Sequence, residues 1–314
     1  MRIVFMGTPE FAVASLDILI QHHYDVVGVV TVPDKPAGRG QQVQQSAVKK
    51  YALEKGLNIL QPEKLKDEQF VNELRNLHAD IQFVVAFRML PEVVWNMPPL
   101  GTYNLHGSLL PKYRGAAPIN WAIINGEIES GVTTFKLKHD IDTGNVLFQD
   151  KVKISATTTA GELHDDLMMV GAHLILKSVK QIESGDYELK PQTDAEAIHA
   201  PKIFKETCLI NWNQSVESIY NLIRGLSPYP AAFTTYIDKN NQSISIKLFT
   251  VEKECCQHKL RVGVIESDSK TFLKVACSNG FIHIKELQMA GKKRMSIEEF
   301  LRGFKVFPEL VFTA

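Results

Sequence analysis

Alternating apolar runs near the N-terminus constrain the fold of this chain more than any other feature. Residues 2–6 (RIVFM) predict a buried strand, and a turn at residues 7–9 leads into the helix-like stretch 10–23. A second apolar run, DVVGVVTV (25–32), follows directly, so strand, helix and strand fit within the first 32 residues. This spacing is typical of parallel strands joined by a helix. We therefore predict an α/β domain with a Rossmann-like, mostly parallel sheet.

The same alternation continues through the first 185 residues. Residues 81–87 (IQFVVAF) are apolar on both faces, as expected of a parallel strand covered by helices. The further predicted helices are 45–56, 67–78, 117–127 and 159–185, the further strand is 57–61, and an antiparallel pair is predicted at 131–138 and 145–154.

The C-terminal part of the chain has a different pattern. Residues 186–204 lack periodicity and contain two prolines, which predicts a linker. After one helix (214–226), short alternating strands with polar turns predict a small β-barrel of the oligonucleotide-binding (OB) type. The predicted domains are 1–184, a catalytic domain; 185–205, a linker; and 206–314, the OB-like barrel.

Charge and cysteine usage narrow the function classes. The 35 basic and 35 acidic residues cancel, but residues 201–314 hold 16 Lys and Arg against 11 Asp and Glu, which hints at a polyanionic partner. The four cysteines form no C-x-x-C pair, so we expect reduced thiols, no metal and a cytoplasmic protein. The N-terminal apolar run is too short for a secretory signal, and no run of about 18 apolar residues predicts a membrane span.

Two familiar motifs occur only in incomplete form. The dinucleotide fingerprint G-x-G-x-x-G beginning at Gly7 would need glycines where Pro9 and Ala12 stand, and no phosphate-binding G-x-x-x-x-G-K-[ST] occurs. The tripeptide Asp142–Thr143–Gly144 resembles the aspartic-protease motif, but those enzymes need two such carboxylates. This chain has a single D-T-G within a region of α/β pattern, so neither reading is favoured.

The stretch TYNLHG (102–107) predicts a polar site. On a strand, Asn104 and His106 share one face because side chains alternate, and they lie at the carboxyl end, where open α/β sheets bind ligands. A plain alternative stays open: His106 could be a buried histidine bonded to the backbone, and Asn104 a turn former.

The residues that follow favour a ligand pocket. The loop 108–118 (SLLPKYRGAAP) places two leucines beside a rigid proline, which suits a flat heteroaromatic ligand. Asp142 lies in a turn after a predicted strand. An asparagine, a histidine and a carboxylate in one cleft can transfer an acyl group from a donor to an amine.

The motifs MRIVFMGTPEFA, PDKPAGRG, NLHGSLLPKYRGAAPINWAI, GVTTFKLKHDIDTGNVL and AGKKRMSIEEFLRG occur in this order along the chain. The chain thereby resembles the methionyl-tRNA formyltransferases over essentially its whole length. The resemblance implies 10-formyltetrahydrofolate as co-substrate and no metal. It implies catalytic roles for Asn104, His106 and Asp142. The residues it implies for folate binding are Ser108, Leu109, Leu110, Pro111, Arg88 and Leu90.

The acceptor is inferred from other parts of the chain. The loop 34–50 is basic, with no acid between Asp34 and Glu54, which suits phosphate contacts. In the resembling family the matching loop wedges against the acceptor stem of tRNA, which implies Lys35 and Arg39 as tRNA-binding residues. With the appended barrel, this predicts initiator methionyl-tRNA as partner of a monomeric enzyme of translation initiation. A mobile solvated loop remains the plain alternative.

Three other functions share parts of this sequence pattern. Glycinamide ribonucleotide formyltransferase needs a glycine-rich phosphate cradle after the first strand, where this chain reads GTPE (7–10). Residues 86–90 (AFRML) nevertheless resemble the pterin-side loop of that enzyme and are one residue shorter than in most of the tRNA family. A formyltransferase acting on an amino-sugar nucleotide also has two domains and stays open. A nucleic-acid-binding barrel beside a degenerate α/β domain is the non-enzyme alternative.

Overall fold

The structure is a computed structural model that describes residues 1–37, 42–237, 242–304 and 311–313 of the chain. Contacts divide the chain into two compact units. The N-terminal unit comprises Met1–Gly115, Glu129–Lys153 and His164–Ala200, and the C-terminal unit comprises Ala116–Ile128, Ile154–Leu163 and Pro201–Ala314.

The N-terminal unit contains strands β1 (Arg2–Gly7), β2 (Asp25–Val30), β3 (Lys35–Ala37), β4 (Gln42–Gln44), β5 (Ile59–Leu60), β6 (Ile81–Val85), β7 (Thr102–His106), β8 (Arg114–Gly115), β9 (Glu129–Lys136), β10 (Val146–Lys153) and β11 (His199–Ala200). Its helices are α1 (Glu10–Gln21), α2 (Ala47–Glu54), α3 (Glu68–Asn76) and α4 (Glu92–Trp95). Helix α5 (Pro118–Ile124) belongs to the C-terminal unit, and α6 (Ala160–Ser184) lies mostly in the N-terminal unit.

The main sheet has the strand order β10-β9-β7-β6-β1-β2-β5. Strands β7, β6, β1, β2 and β5 pair in parallel, whereas β9 and β10 run antiparallel at one edge. The predicted mostly parallel sheet with an antiparallel pair is thereby confirmed. Strand β1 lies in the middle of the sheet, and its residues 3–6 are fully buried, which explains why its sequence shows no polar alternation.

Side-chain caps start the helices beside the sheet. The Ser46 hydroxyl accepts from the backbone N–H of Lys49 and so caps α2, and Asp67 caps α3 in the same way. Each such cap stabilises a helix by about 1 kcal/mol. Helix α3 then buries Phe70, Val71 and Leu74 in one apolar cluster.

The stretch predicted as a linker is bonded to the N-terminal unit through residue 200. Lys190 pairs with Val146 in an antiparallel bridge, and residues 194–196 form a short 3-10 helix. Strand β11 then pairs in parallel with β8. Residues 190–200 therefore contact the same part of the sheet as the site described below.

The C-terminal unit contains α7 (Val216–Leu226), β12 (Ala232–Ile237), β13 (Ser243–Cys255), β14 (Ile265–Ser267), β15 (Leu273–Cys277), β16 (Gly280–Met289), β17 (Met295–Ser296) and α8 (Ile297–Gly303). Its strands follow the order β12-β13-β16-β15-β14, and β17 pairs with β16. All these pairs are antiparallel, and the sheet curls into a half-barrel. The predicted fold class, a parallel-sheet domain followed by a small curled antiparallel β-domain, is thereby confirmed.

The two edges of this curled sheet are bridged by residues 311–313. Thr313 pairs with Thr235 on β12, while Val311 pairs with Val264 next to β14. Between them Phe312 is 2% exposed and belongs to the apolar core that α7 also joins. Residues 311–313 therefore join both edges of the sheet, and Phe312 contributes to its apolar interior.

Candidate active site

Strand β7 places Asn104 and His106 at the carboxyl end of the parallel sheet. It pairs in parallel with β6 and antiparallel with β9, and His106 lies opposite Thr133. Tyr103 and Leu105, on the other face, are 0% and 3% exposed. Burial of that face fixes the register of β7, so both polar side chains point to the opposite face.

His106 is held by a carbonyl and faces a carboxylate. The ring is 6% exposed, and its Nε2 lies 2.8 Å from the carbonyl oxygen of Tyr113. Because a carbonyl only accepts, Nε2 is the donor in this bond. The other nitrogen, Nδ1, lies 3.7 Å from Oδ2 of Asp142, so a proton on Nδ1 would sit beside a negative charge.

Asp142 is oriented by a backbone donor. Its Oδ2 accepts a hydrogen bond of 2.9 Å from the N–H of Gly115, and its side chain is 14% exposed. The residue has a φ of 54°, in the left-handed region that residues other than glycine rarely adopt. Such backbone costs of order 1–3 kcal/mol and is found at functional sites where surrounding bonds hold it.

Asn104 has an amide that the fold does not use. The residue is half-buried, and its side chain makes no hydrogen bond to another residue in the described ranges of the chain. Its neighbour two residues on, His106, has a protein partner on Nε2. A ligand placed on this face would therefore find the Asn104 amide available as a donor.

The loop 108–111 is held by hydrogen bonds and mostly turned inward. The hydroxyl of Thr133 donates to the Ser108 carbonyl (2.6 Å) and accepts from the N–H of Leu110 (3.1 Å). Ser108 and Leu110 are 0% and 4% exposed, whereas Leu109 and Pro111 are half-buried. Of the four residues expected at the folate, the structure buries two and leaves Leu109 and Pro111 accessible.

Arg88 and Leu90 lie in the loop after β6. The Arg88 guanidinium donates to the carbonyl of Glu63 (2.8 Å) and to that of Pro62. Burial lowers the pKa of Arg88 from its usual value. Leu90 is 8% exposed and packs into the apolar core. Arg88 thus ties its loop to residues 62 and 63, and Leu90 anchors the same loop.

The basic loop is described only in part. Lys35 is exposed on β3, which pairs with β4, whereas Arg39 lies outside the described residues. Lys49 forms an ion pair of 2.6 Å with Asp34, and its hydrogen bond holds the pKa of that carboxyl below its usual range. Lys49 is therefore neutralised within the protein, while Lys35 presents an ammonium to solvent.

Sequence reasoning missed the residues that support the site. Thr133 stabilises the 108–111 loop, and Gln149 donates to the carbonyl of Leu110 (2.8 Å). Gln192 donates to the backbone of the Asp142 loop, and Arg114 donates to Gln192. No local pattern marks these residues, because each acts on a partner at least 16 positions away.

The described part of the chain contains neither a candidate metal site nor a candidate membrane-spanning helix. No group of three or more His, Cys, Asp and Glu side chains there could hold a metal ion. No helix in those ranges is both long enough and apolar enough to span a membrane.

Comparison with known families assigns the chain to a class of enzyme. A family model described as "Formyl transferase" matches residues 1–179, and one described as "Formyl transferase, C-terminal domain" matches residues 202–305. The chain belongs to the formyl transferase family. Asn104, His106 and Asp142 lie within the residues that the first of these models matches.

Several relatives align with nearly the whole chain. The methionyl-tRNA formyltransferase of Parabacteroides distasonis is 55% identical over 98% of this chain and 97% of its own length. Enzymes of the same name from Bacteroides fragilis (54%; 97% of this chain and 95% of that protein) and Flavobacterium johnsoniae (53%; 96% of each) are similarly close.

Solved structures share the fold at low identity. A sugar 3N-formyl transferase, WlaRD, crystallised with dTDP and 5-N-formyl-THF, matches with a TM-score of 0.65 and 22% identity over 93% of this chain and 99% of that one. HypX of Aquifex aeolicus, in complex with tetrahydrofolic acid, matches with a TM-score of 0.62 and 18% identity over 98% of this chain and 49% of that one.

Proposed function

We propose that this protein transfers the formyl group of 10-formyltetrahydrofolate to the α-amino group of methionyl initiator tRNA, in the cytoplasm, for translation initiation. The observation that carries the chemistry is that Nδ1 of His106 lies 3.7 Å from Asp142, on the strand face shared by Asn104, whose amide has no partner among the described residues. The acceptor is supported by relatives of that name at 53–55% identity over nearly the full chain.

The transfer makes one bond and breaks another. The nitrogen of the methionyl amine attacks the formyl carbon, the bond from that carbon to N10 breaks, and a proton passes from the amine to N10. The reference pKa of an α-amino group, about 7.7–8.0, leaves a useful neutral fraction near pH 7. The protein therefore needs no strong base, and its main task is to stabilise the oxyanion formed on the formyl oxygen.

We assign oxyanion donation to Asn104 first. Its amide has no partner among the described residues, whereas Nε2 of His106 is engaged by the Tyr113 carbonyl. A single donor of this kind contributes about 3–4 kcal/mol to the transition state. His106 can join as a second donor by exchanging the Tyr113 bond for the oxyanion.

Asp142 and His106 together handle the proton. A proton received on Nδ1 of His106 makes an ion pair with Asp142, whose carboxylate is held in place by the N–H of Gly115. The pair can pass this proton to the leaving nitrogen, directly or through water. These steps use only side chains of the N-terminal unit and require no metal or nucleophilic residue.

The folate would contact the accessible residues of the predicted set. Leu109 and Pro111 offer half-buried apolar surface beside the site, while Ser108 and Leu110 hold their loop in shape from inside the protein. We assign Arg88 and Leu90 to the same supporting role for their loop.

We assign RNA contact to the basic loop and to the C-terminal unit. Lys35 is exposed, and Arg39 follows it in the same loop. Residues 201–314 carry 16 basic against 11 acidic residues around the half-barrel, a fold type that commonly binds nucleic acid on a positive face.

A transfer assay with three acceptors tests this function. Purified protein and 10-formyltetrahydrofolate are incubated with methionyl initiator tRNA, with the same tRNA uncharged, and with an amino-sugar nucleotide. We expect formylation of the methionyl-tRNA alone. Transfer only to the sugar nucleotide would keep the catalytic assignment and overturn the acceptor.

A further inference from the structure

One glutamine outside the predicted site bonds to the loop that carries Asp142. The side-chain Nε2 of Gln192 donates to the carbonyl of Asp142 (2.8 Å) and to that of Gly144 (2.8 Å). Its Oε1 accepts from two nitrogens of Arg114, Nε at 3.0 Å and Nη2 at 2.8 Å. The amide thus bonds to the Asp142 loop on one side and to Arg114 on the other.

Arg114 is itself fixed and lies next to the donor that orients Asp142. It is 8% exposed, and its Nη2 also pairs with Asp194 at 2.9 Å. The following residue, Gly115, supplies the N–H that donates to Oδ2 of Asp142. Both parts of Asp142 are therefore linked to the short strand β8. Its backbone is bonded to Gln192, which is held by Arg114, and its carboxylate is bonded to Gly115.

The loop needs such support because its backbone is strained and closely packed. Asp142 has a φ of 54°, a backbone conformation that is unfavourable for a residue other than glycine. A Cβ on Gly144 would come within 1.8 Å of the carbonyl oxygen of Lys136, so the loop lies directly against β9. Two hydrogen bonds from one amide to the carbonyls of residues 142 and 144 hold this turn in place.

We propose that Gln192 is a positioning residue, which keeps the Asp142 carboxylate facing Nδ1 of His106 and thereby sets the turnover rate. It acts through Asp142 and does not touch the substrate. This inference rests on the proposed role of Asp142 in formyl transfer. It assigns a function to the stretch 186–204, whose sequence predicts only a linker.

The isosteric substitution Gln192→Glu tests the donor. A glutamate retains the size and the acceptor for Arg114 but cannot donate to the two carbonyls. We expect kcat to fall about 10- to 100-fold, as when a supporting group lets a reacting group shift by about 1 Å. The KM for 10-formyltetrahydrofolate should change less than two-fold, on the order of experimental scatter. Should Gln192→Glu fail to fold, Gln192→Met removes the same donor without adding a charge.

Gln181→Glu is the matched control. Gln181 lies on α6, is half-buried, and its Nε2 donates to the carbonyl of Asp186 at 2.6 Å. The control therefore removes the same kind of bond from the same unit, away from the Asp142 loop. We expect its kcat to equal that of the wild type.

A double-variant cycle separates positioning from general stability. If Gln192 acts only through Asp142, Gln192→Glu combined with Asp142→Asn has the turnover of Asp142→Asn alone. A loss in the double variant equal to the product of the two single losses would overturn the proposal. An unchanged kcat in Gln192→Glu would overturn it as well.

A spectroscopic signature makes the test independent of the acceptor. The ring-nitrogen NMR signals of His106, assigned by their loss in His106→Gln, should move in Gln192→Glu in the direction in which Asp142→Asn moves them. The control Gln181→Glu should leave them in place. Wild-type signals in Gln192→Glu would overturn the positioning role even if the protein formylated another amine. Failure of the wild type to formylate methionyl-tRNA would count only against the proposed acceptor.

Discussion

Asn104 differs from the other polar residues of the site because its amide has no hydrogen-bond partner in the part of the chain that the structure describes. His106, Asp142 and Ser108 each have a protein partner, which fixes their side chains before any ligand binds. Asn104 is half-buried on the same strand face as His106 and has no such bond within the described ranges. Partnered groups define the shape of the site, and we expect the Asn104 amide to act on the substrate.

The substitution Asn104→Ala tests this distinction. We expect kcat to fall about 100- to 1,000-fold, because a donor to the oxyanion acts mainly in the transition state. Steady-state kinetics should show a nearly unchanged KM for 10-formyltetrahydrofolate, and thermal melting a nearly unchanged midpoint. The control Asn58→Ala removes an exposed amide that donates to the Val27 carbonyl, and should have wild-type kinetics. A rise in KM without loss of kcat would instead assign Asn104 to ground-state binding.

Among the elements, the basic loop shows how similar residues come to differ in function. The Lys49 ammonium on α2 is bound by Asp34, and Gln61 donates to the other carboxylate oxygen at 2.9 Å. These bonds fix the point at which the β3 and β4 hairpin begins. Lys35 on β3 is exposed. Lys49 therefore helps to fix the start of the hairpin, whereas Lys35 is exposed to solvent.

Salt dependence of tRNA binding distinguishes the two lysines. Lys35→Met should weaken binding and reduce the slope of log affinity against log salt by about 1, since one phosphate contact is lost. Lys49→Met should leave that slope unchanged, because Lys49 is already neutralised by Asp34. Both are measured by fluorescence anisotropy at several salt concentrations. Equal slopes for Lys35→Met and the wild type would remove Lys35 from the interface.

At the scale of the whole molecule, each unit has an apolar core of its own, and the core of the C-terminal unit includes Phe312. Its ring packs with those of Trp212 and Tyr236, with centroids 6.1 Å and 6.3 Å apart. Residues 311–313 also bridge the two edges of the half-barrel. The last strand pairs of the chain are thus part of the C-terminal core.

Phe312→Ala should destabilise the C-terminal unit selectively. Truncating a fully buried phenylalanine lowers the free energy of unfolding by about 3–5 kcal/mol. We expect an earlier thermal transition in tryptophan fluorescence and weaker tRNA binding, with folate binding retained by the N-terminal unit. The control Phe272→Ala, at a side chain 39% exposed in the same unit, should cost less than about 1 kcal/mol. If Phe312→Ala also lost folate binding, the prediction that only the C-terminal unit is destabilised would be wrong.

Much of the fold could be predicted because its signals are local. Strands β1 and β6 are apolar on both faces, which indicates a parallel sheet, and short strands of alternating pattern indicate a small C-terminal β-barrel. The bridging of its two edges by residues 311–313 could not be predicted, since a stretch of three residues is too short to show a periodic pattern.

The sequence by itself determined that Asn104 and His106 share a face at the end of a strand, because alternation depends only on neighbours along the chain. Only the tertiary structure decided that Asp142 lies 3.7 Å from His106 and that Gln192, 50 positions further on, holds its loop. Such contacts depend on how β9 returns beside β7 and how residues 190–200 pack against β8. No local pattern encodes that arrangement, because the partners meet only when the whole sheet has formed.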